Sequence, residues 1–318
     1  MMDLHLWKRI SPRLRRPVGR RFPVASPTSS ASSDGLSAHL ISVIETATSH
    51  NMVTNRDEQY YARQYAYWIM SELEERFPSV PVRILDLGCG YGRLSLPLAK
   101  WCGESGGRVT GVDIAQTALS AARRYAREQR LDNVAFHESD VLNFTRELPD
   151  ASVDATLLLE VSFILTNFRE VLREITRILR PGGVLFLASR SQYYNLLQTI
   201  RAQSWDDAKT VIGRREGHLF GGPTFMTWQT PEDVREMLHQ LGLRVRSQRG
   251  IGVCSGIAGD PLSWVARPSK MGQPEQDCLM QLELSVGAQY AACGRYVLSI
   301  AERPGNATQQ EDRCFEPR

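Results

Sequence analysis

What the sequence lacks narrows it first. No stretch of its 318 residues approaches the roughly 20 uncharged apolar residues that a membrane-spanning helix needs, so no membrane span is expected. The six cysteines, Cys89, Cys102, Cys254, Cys278, Cys293 and Cys314, contain no Cys-x-x-Cys pair and no zinc-ligand spacing. Disulfide frameworks belong to short secreted chains, so these are read as reduced thiols in a reducing compartment, with no metal expected. Internal repeats are absent. So is a basic body: the formal net charge is +3, but residues 1–33 hold seven basic side chains against Asp3 alone, leaving −3 for the remainder. A mildly acidic body does not track phosphates, and nucleic acid is not expected as a partner.

What is present is an ordinary globular composition, 42% hydrophobic and 23% charged, with length enough for one large α/β domain and an added lid. The Arg-, Ser- and Pro-rich opening stretch fits a disordered basic tail or a mitochondrial or plastid transit peptide, although Pro12 interrupts any amphipathic helix there. The expected location is cytoplasmic, or organellar if that segment is a targeting signal. From Asp57 to Phe77 apolar residues recur every three or four positions, which predicts a helix stopped by Pro78 and Pro81. Strands and helices then alternate. Strands are expected at 82–87, 108–112, 134–137, 153–159 and 184–188, with helices at 93–101, 117–129 and 168–179 between them. Beyond Ser189 the pattern predicts helices at 193–203 and 205–213, a glycine-rich loop at 217–223, and a helix opened by Thr230-Pro231. Two last strands, 243–248 and 295–301, flank a long insertion holding a helix at 274–291. Fully apolar strands joined by helices imply a parallel sheet covered on both faces.

The most informative segment is Ile84-Leu85-Asp86-Leu87-Gly88-Cys89-Gly90-Tyr91-Gly92, a strand running into a glycine turn that opens a helix. Glycines at 88 and 90 let a ligand approach the backbone, and the helix start offers free N–H groups. A dinucleotide fingerprint would read Gly-x-Gly-x-x-Gly, with its acid about 20 residues later. Here the spacing is Gly-x-Gly-x-Gly, and Asp86 precedes the turn. A carboxylate there repels a pyrophosphate and suits a cationic amine.

On these residues the sequence resembles the class I S-adenosylmethionine (SAM)-dependent methyltransferase family. The resemblance implies that Asp86, Gly88, Cys89 and Gly90 hold the methionine part of SAM. It implies that Asp113 in Gly111-Val112-Asp113-Ile114 takes the ribose hydroxyls, with Ile114 against the adenine. Asp140-Val141 matches the family's acid at the adenine amino group, and Leu159-Glu160-Val161 the strand end near the methionine. Arg180-Pro181-Gly182-Gly183 matches the turn before strand five. Five matches in order cover residues 82–190. The implied fold is α/β: a Rossmann-like seven-stranded mostly parallel sheet flanked by helices, with an α-helical lid or insertion. The expected organisation is a basic tail over 1–40, cap helices over 41–81, the SAM-binding core over 82–190, a substrate lid with the C-terminal half of the sheet over 191–303, and a polar tail over 304–318.

The implied reaction is in-line displacement at the sulfonium methyl, which needs a positioned acceptor and exclusion of water. An acceptor that must lose a proton gains from a nearby base. His218 in the glycine loop is the candidate base. Tyr194, after strand five, is the second catalytic candidate, and Tyr61 resembles the aromatic cap that many small-molecule members fold over the cofactor. Each has a plainer reading, a surface histidine or packed aromatics. Strand four ends in Leu-Glu-Val-Ser, which differs from the turn of enzymes that stack a flipped base, so a small organic acceptor methylated on O, N or C is expected. The rivals are a SAM-binding partner subunit without turnover, a nucleic-acid or protein methyltransferase anchored by the basic tail, and a nucleotide-dependent oxidoreductase. Binding without turnover would mark the first, salt-sensitive RNA binding lost with residues 1–35 the second, and NADH binding without SAM binding the third.

Overall fold

A computed structural model describes residues 53–305; the two expected tails, 1–40 and most of 304–318, lie outside the described residues. The chain opens with α1 (Arg56–Arg76), whose N-cap Asn55 accepts the Asp57 and Glu58 N–H groups. The alternating core follows as β1 (Arg83–Leu87), α2 (Ser95–Cys102), β2 (Arg108–Asp113), α3 (Gln116–Glu128), β3 (Val134–Glu138), α4 (Val141–Glu147), β4 (Val153–Leu159), α5 (Phe168–Ile178) and β5 (Leu179–Arg190). Then come α6 (Gln192–Arg201), α7 (Trp205–Gly213), β6 (Glu216–His218), β7 (Phe225–Thr227), α8 (Pro231–Gln240), β8 (Arg244–Ile251), α9 (Gln273–Val286) and β9 (Tyr296–Glu302).

Seven strands form one sheet in the order β3-β2-β1-β4-β5-β9-β8, and only β9 runs against its neighbours. The expected seven-stranded, mostly parallel, Rossmann-like sheet is therefore present. Every residue of β4 and β9 is buried, the mostly apolar side chains with the polar Asp154, Thr156, Ser299 and Glu302 among them, as strands covered on both faces require. On one face Ile84, Leu157, Phe186 and Leu298 pack with Ile69 and Leu73 of α1 and Leu98 of α2. On the other, Leu87, Leu158, Leu185 and Leu187 pack with Leu172 and Ile175 of α5. At about 1.5–3 kcal/mol for each fully buried large aliphatic side chain, these two layers supply most of the favourable free energy of folding.

Three local expectations need correction. Asp140 opens a short helix, α4, that the periodicity does not reveal; seven residues are too few for a helical stripe. The Arg180-Pro181-Gly182-Gly183 turn expected before strand five lies within β5, which follows directly on the end of α5 at Ile178; there Gly182 N–H donates to Arg303 O at 2.7 Å. The glycine-rich stretch at 217–223 is the tip of a two-stranded hairpin, and His218 is the last residue of its first strand. Among the described residues no helix is long and apolar enough to cross a membrane.

Candidate functional site

The strand order reverses between β1 and β4, and the crevice at the carboxyl ends of those two strands is where such sheets bind ligands. The residues leaving β1 carry a run of left-handed turns, with φ of +74° at Gly88, +51° at Gly90 and +80° at Gly92. The first two glycines do different work. A Cβ on Gly88 would stand 2.2 Å from Val161 Cγ2, so its missing side chain lets the β1 and β4 ends close on each other. A Cβ on Gly90 would meet nothing within 4 Å. Close packing thus accounts for the glycine at 88, and open space lies beside the one at 90.

Asp113, ending β2, fastens this turn. One carboxylate oxygen accepts the Gly90 N–H at 2.8 Å and the other the Ala115 N–H at 2.8 Å. Burial pushes its pKa up, and these backbone donors oppose the rise. Ile114 beside it is half-buried. Asp86 is buried and accepts the Ser95 hydroxyl at 2.5 Å; burial pushes it up to about 6, against the pull of Ser95 and Arg93. The Cys89 thiol is buried and driven upward by burial and then by Asp86, so it is inert as a nucleophile. Asp140 caps α4, accepting the Leu142 N–H at 2.9 Å and the Asn143 N–H at 3.1 Å, and Val141 is buried among core residues. Asp86, Gly88, Cys89, Gly90, Asp113 and Ile114 thus gather around one turn. Asp140 is tied to the same edge because Ser139 N–H donates to Asp113 O at 3.1 Å.

Glu160, just past β4, sits in the left-handed region at φ +59°, a strained conformation for a residue with a Cβ. Its carboxylate lies 3.2 Å from Arg93, which also reaches Glu58 of α1 at 2.5 Å. The three side chains are 7–9% exposed, making a buried Glu–Arg–Glu bridge from α1 to the end of β4. Burial, and then Glu160, push the pKa of Glu58 up.

Farther along the same edge lies a second charged cluster. Arg295, immediately before β9, pairs with Asp260 at 2.8 Å, and its guanidinium lies 4.7 Å from the Tyr61 ring. Tyr61 is fully buried and its hydroxyl donates to Ser255 Oγ, so it is packed beneath Arg295. Tyr194 is fully buried too, and its hydroxyl donates to Asp260. Burial is the main cause that pushes that hydroxyl up to about 12, which unfits it as a base near neutral pH. His218 is exposed, 5.7 Å from the Phe225 ring, and the structure does not bring it among these buried groups. Among the described residues no group of His, Cys, Asp and Glu is arranged to hold a metal ion.

The reading of the sequence did not single out Glu58, Arg93, Arg190, Asp260 or Arg295. Arg190 and Arg295 carried one usable signal, a charge at the boundary of an apolar strand on the ligand-binding edge. Glu58 and Asp260 carried none, because helix-first-turn acids and loop aspartates are common.

Comparison with known proteins bears on this geometry. The model of a methyltransferase-domain family matches residues 79–240, half of the chain. A ubiquinone biosynthesis O-methyltransferase of Maricaulis maris is 30% identical over 177 residues, which are 55% of this chain and 63% of that protein. Less than two thirds of the relative's length is therefore spanned. Two solved structures share the fold. One is the 1,6-didemethyltoxoflavin-N1-methyltransferase of Burkholderia thailandensis with S-adenosylhomocysteine bound, 17% identical at a TM-score of 0.52 over 89% of this chain and 94% of that one. The other is the cyclase SpnF, 19% identical at 0.51 over 86% and 96%.

Proposed function

Because the chain belongs to the class I SAM-dependent methyltransferase family, we propose that it transfers the methyl group of SAM to an oxygen of a small organic acceptor. The observation that carries the reading is the open face of Gly90 beside the buried carboxylates Asp86 and Asp113, at the point where the strand order reverses. The choice of oxygen rests on the O-methyltransferase relative. SAM supplies, when bound, a methyl group already activated on a sulfonium.

The residues fit that cofactor. Gly90 leaves a cradle that any side chain would fill, Asp86 offers a carboxylate to an amine, and Asp113 offers carboxylate oxygens to ribose hydroxyls. Ile114, Asp140 and Val141 are assigned to the adenine end, Gly88, Cys89 and Glu160 to the methionine end. Tyr61 acts through Arg295, as a floor under the acceptor side. Tyr194 positions Asp260, and no base is assigned to His218 at its exposed place.

Calorimetric titration of the full chain with SAM and S-adenosylhomocysteine tests the reading, beside Asp113→Ala and Gly90→Val. Micromolar binding by the wild type, lost in both variants, is the expected result. A folded wild type that binds neither nucleoside sinks the proposal. Since a cyclase shares this fold, transfer of a labelled methyl group to an oxygen acceptor is the required second readout.

A further inference from the structure

Arg190 has no role in the cofactor site, yet it closes β5 at the ligand-binding edge, in register with Tyr296 of the antiparallel β9. Its half-buried guanidinium lies 4.3 Å from the Tyr194 ring, 5.0 Å from Tyr296 and 5.6 Å from Phe163. Nε donates to Asn195 Oδ1 at 3.2 Å and a terminal nitrogen to Gln198 Oε1 at 3.3 Å. Both partners are neutral.

The carboxylates nearby are already committed. Asp260 pairs with Arg295, and also takes the Tyr194 hydroxyl and the Ile257 N–H. Glu58 and Glu160 are held by Arg93. Among the described residues Arg190 makes no ion pair of its own: Asp260 acts on it only at longer range while paired with Arg295, and a guanidinium taken out of water without a direct counter-ion is costly. Beside it Asn195 Nδ2 is buried with no acceptor among the described residues, so this corner has spare donors as well as spare charge.

A group that only accepts hydrogen bonds and carries one negative charge answers both surpluses. The planar fork of arginine matches a carboxylate in two parallel bonds, and a single unpaired cation balances one such charge. We propose that Arg190 binds a carboxylate on the methyl acceptor, so that the substrate is a carboxylic acid lying among the rings of Phe163, Tyr194 and Tyr296. This deepens the methyl-transfer reading and rests on it. The acid is a handle that orients the acceptor, distinct from the oxygen that is methylated.

The test uses the full chain saturated with S-adenosylhomocysteine and titrated with benzoate, 4-hydroxybenzoate and cinnamate, each beside its amide. The carboxylates are expected to bind about tenfold or more tightly than the amides. That preference collapses in Arg190→Gln and is partly restored in Arg190→Lys, while affinity for S-adenosylhomocysteine stays unchanged in both. A wild type that holds S-adenosylhomocysteine but prefers no carboxylate, including by binding none, overturns the proposal and leaves methyl transfer standing. So does an Arg190→Gln protein that keeps the preference, since the arginine would then only clamp rings together. A wild type that fails to hold S-adenosylhomocysteine overturns the methyl-transfer reading and this proposal with it.

Discussion

Replacing Arg93 by methionine should leave Glu58 and Glu160 facing each other without a cation. The bridge is short, 2.5 Å to one carboxylate and 3.2 Å to the other, and its side chains are at most 9% exposed. Removing one partner from a buried ion pair costs about 3–5 kcal/mol, against a total stability of about 5–15 kcal/mol for a domain. Part of that cost can be relieved by protonation. With Arg93 gone, the Glu58 pKa in the folded state, already raised by burial and then by Glu160, rises further above the unfolded value of about 4.3. A carboxyl whose folded pKa is raised contributes stability that is present below the unfolded pKa and lost as pH climbs through the folded one. The variant should therefore approach the wild type near about pH 4 and fall furthest behind near about pH 8. At about 2–4 °C per kcal/mol for a chain of this size, the melting temperature should drop by roughly 6–20 °C at the upper pH. Thermal and urea denaturation across that range measures this, and Glu58→Gln added to Arg93→Met should recover much of the loss. A penalty under about 1 kcal/mol, the value of a solvent-exposed pair, or one that does not change with pH, would refute the reasoning.

Other consequences separate structural from ligand-binding roles. Gly88→Ala drives a methyl into Val161 and should cost about 1–3 kcal/mol in urea denaturation. Gly90→Ala meets no protein atom and should cost only about 1 kcal/mol, while weakening SAM binding about tenfold or more; equal affinities in the two variants would contradict the cradle. SAM affinity should rise between about pH 5 and 7 as Asp86, pushed up to about 6 by burial, loses its proton, and Asp86→Asn should flatten that profile. A flat wild-type profile in calorimetry speaks against the assignment of Asp86. Tyr194→Phe should lower stability by about 1–3 kcal/mol, by leaving an Asp260 oxygen without its donor, and leave the pH–rate profile unchanged. Loss of the profile's rising limb would restore Tyr194 as a base.

The sheet was readable because its central strands are mostly apolar and buried on both faces; β1, β2, β4 and the last two strands fall within a few residues of their expected places. Asp86, Gly90 and Asp113 were readable for a related reason: acids and glycines at strand ends carry a position as well as a chemistry. The charged bridges were not. Glu58 and Glu160 lie about a hundred residues apart in sequence, and Asp260 and Arg295 belong to different segments, so only the folded sheet brings them together. Tyr194 and Tyr61 were noticed as aromatics, but their burial beneath arginines depends on that same convergence. His218 shows the converse, since a chemically apt residue has little force without neighbours.

Chain order and spatial order disagree at one edge of the sheet. β9 is made after β8 yet lies between β5 and β8. During synthesis β5 therefore keeps an open hydrogen-bonding edge, and β8 waits with no neighbour at all, until residues 296–302 emerge to join both. Open edges of this kind recruit strands from other chains. A chain stopped anywhere from residue 252 to 295 would carry both unfilled edges into the crowded cell, and its fate would be set by chaperones and proteases before any question of catalysis arose.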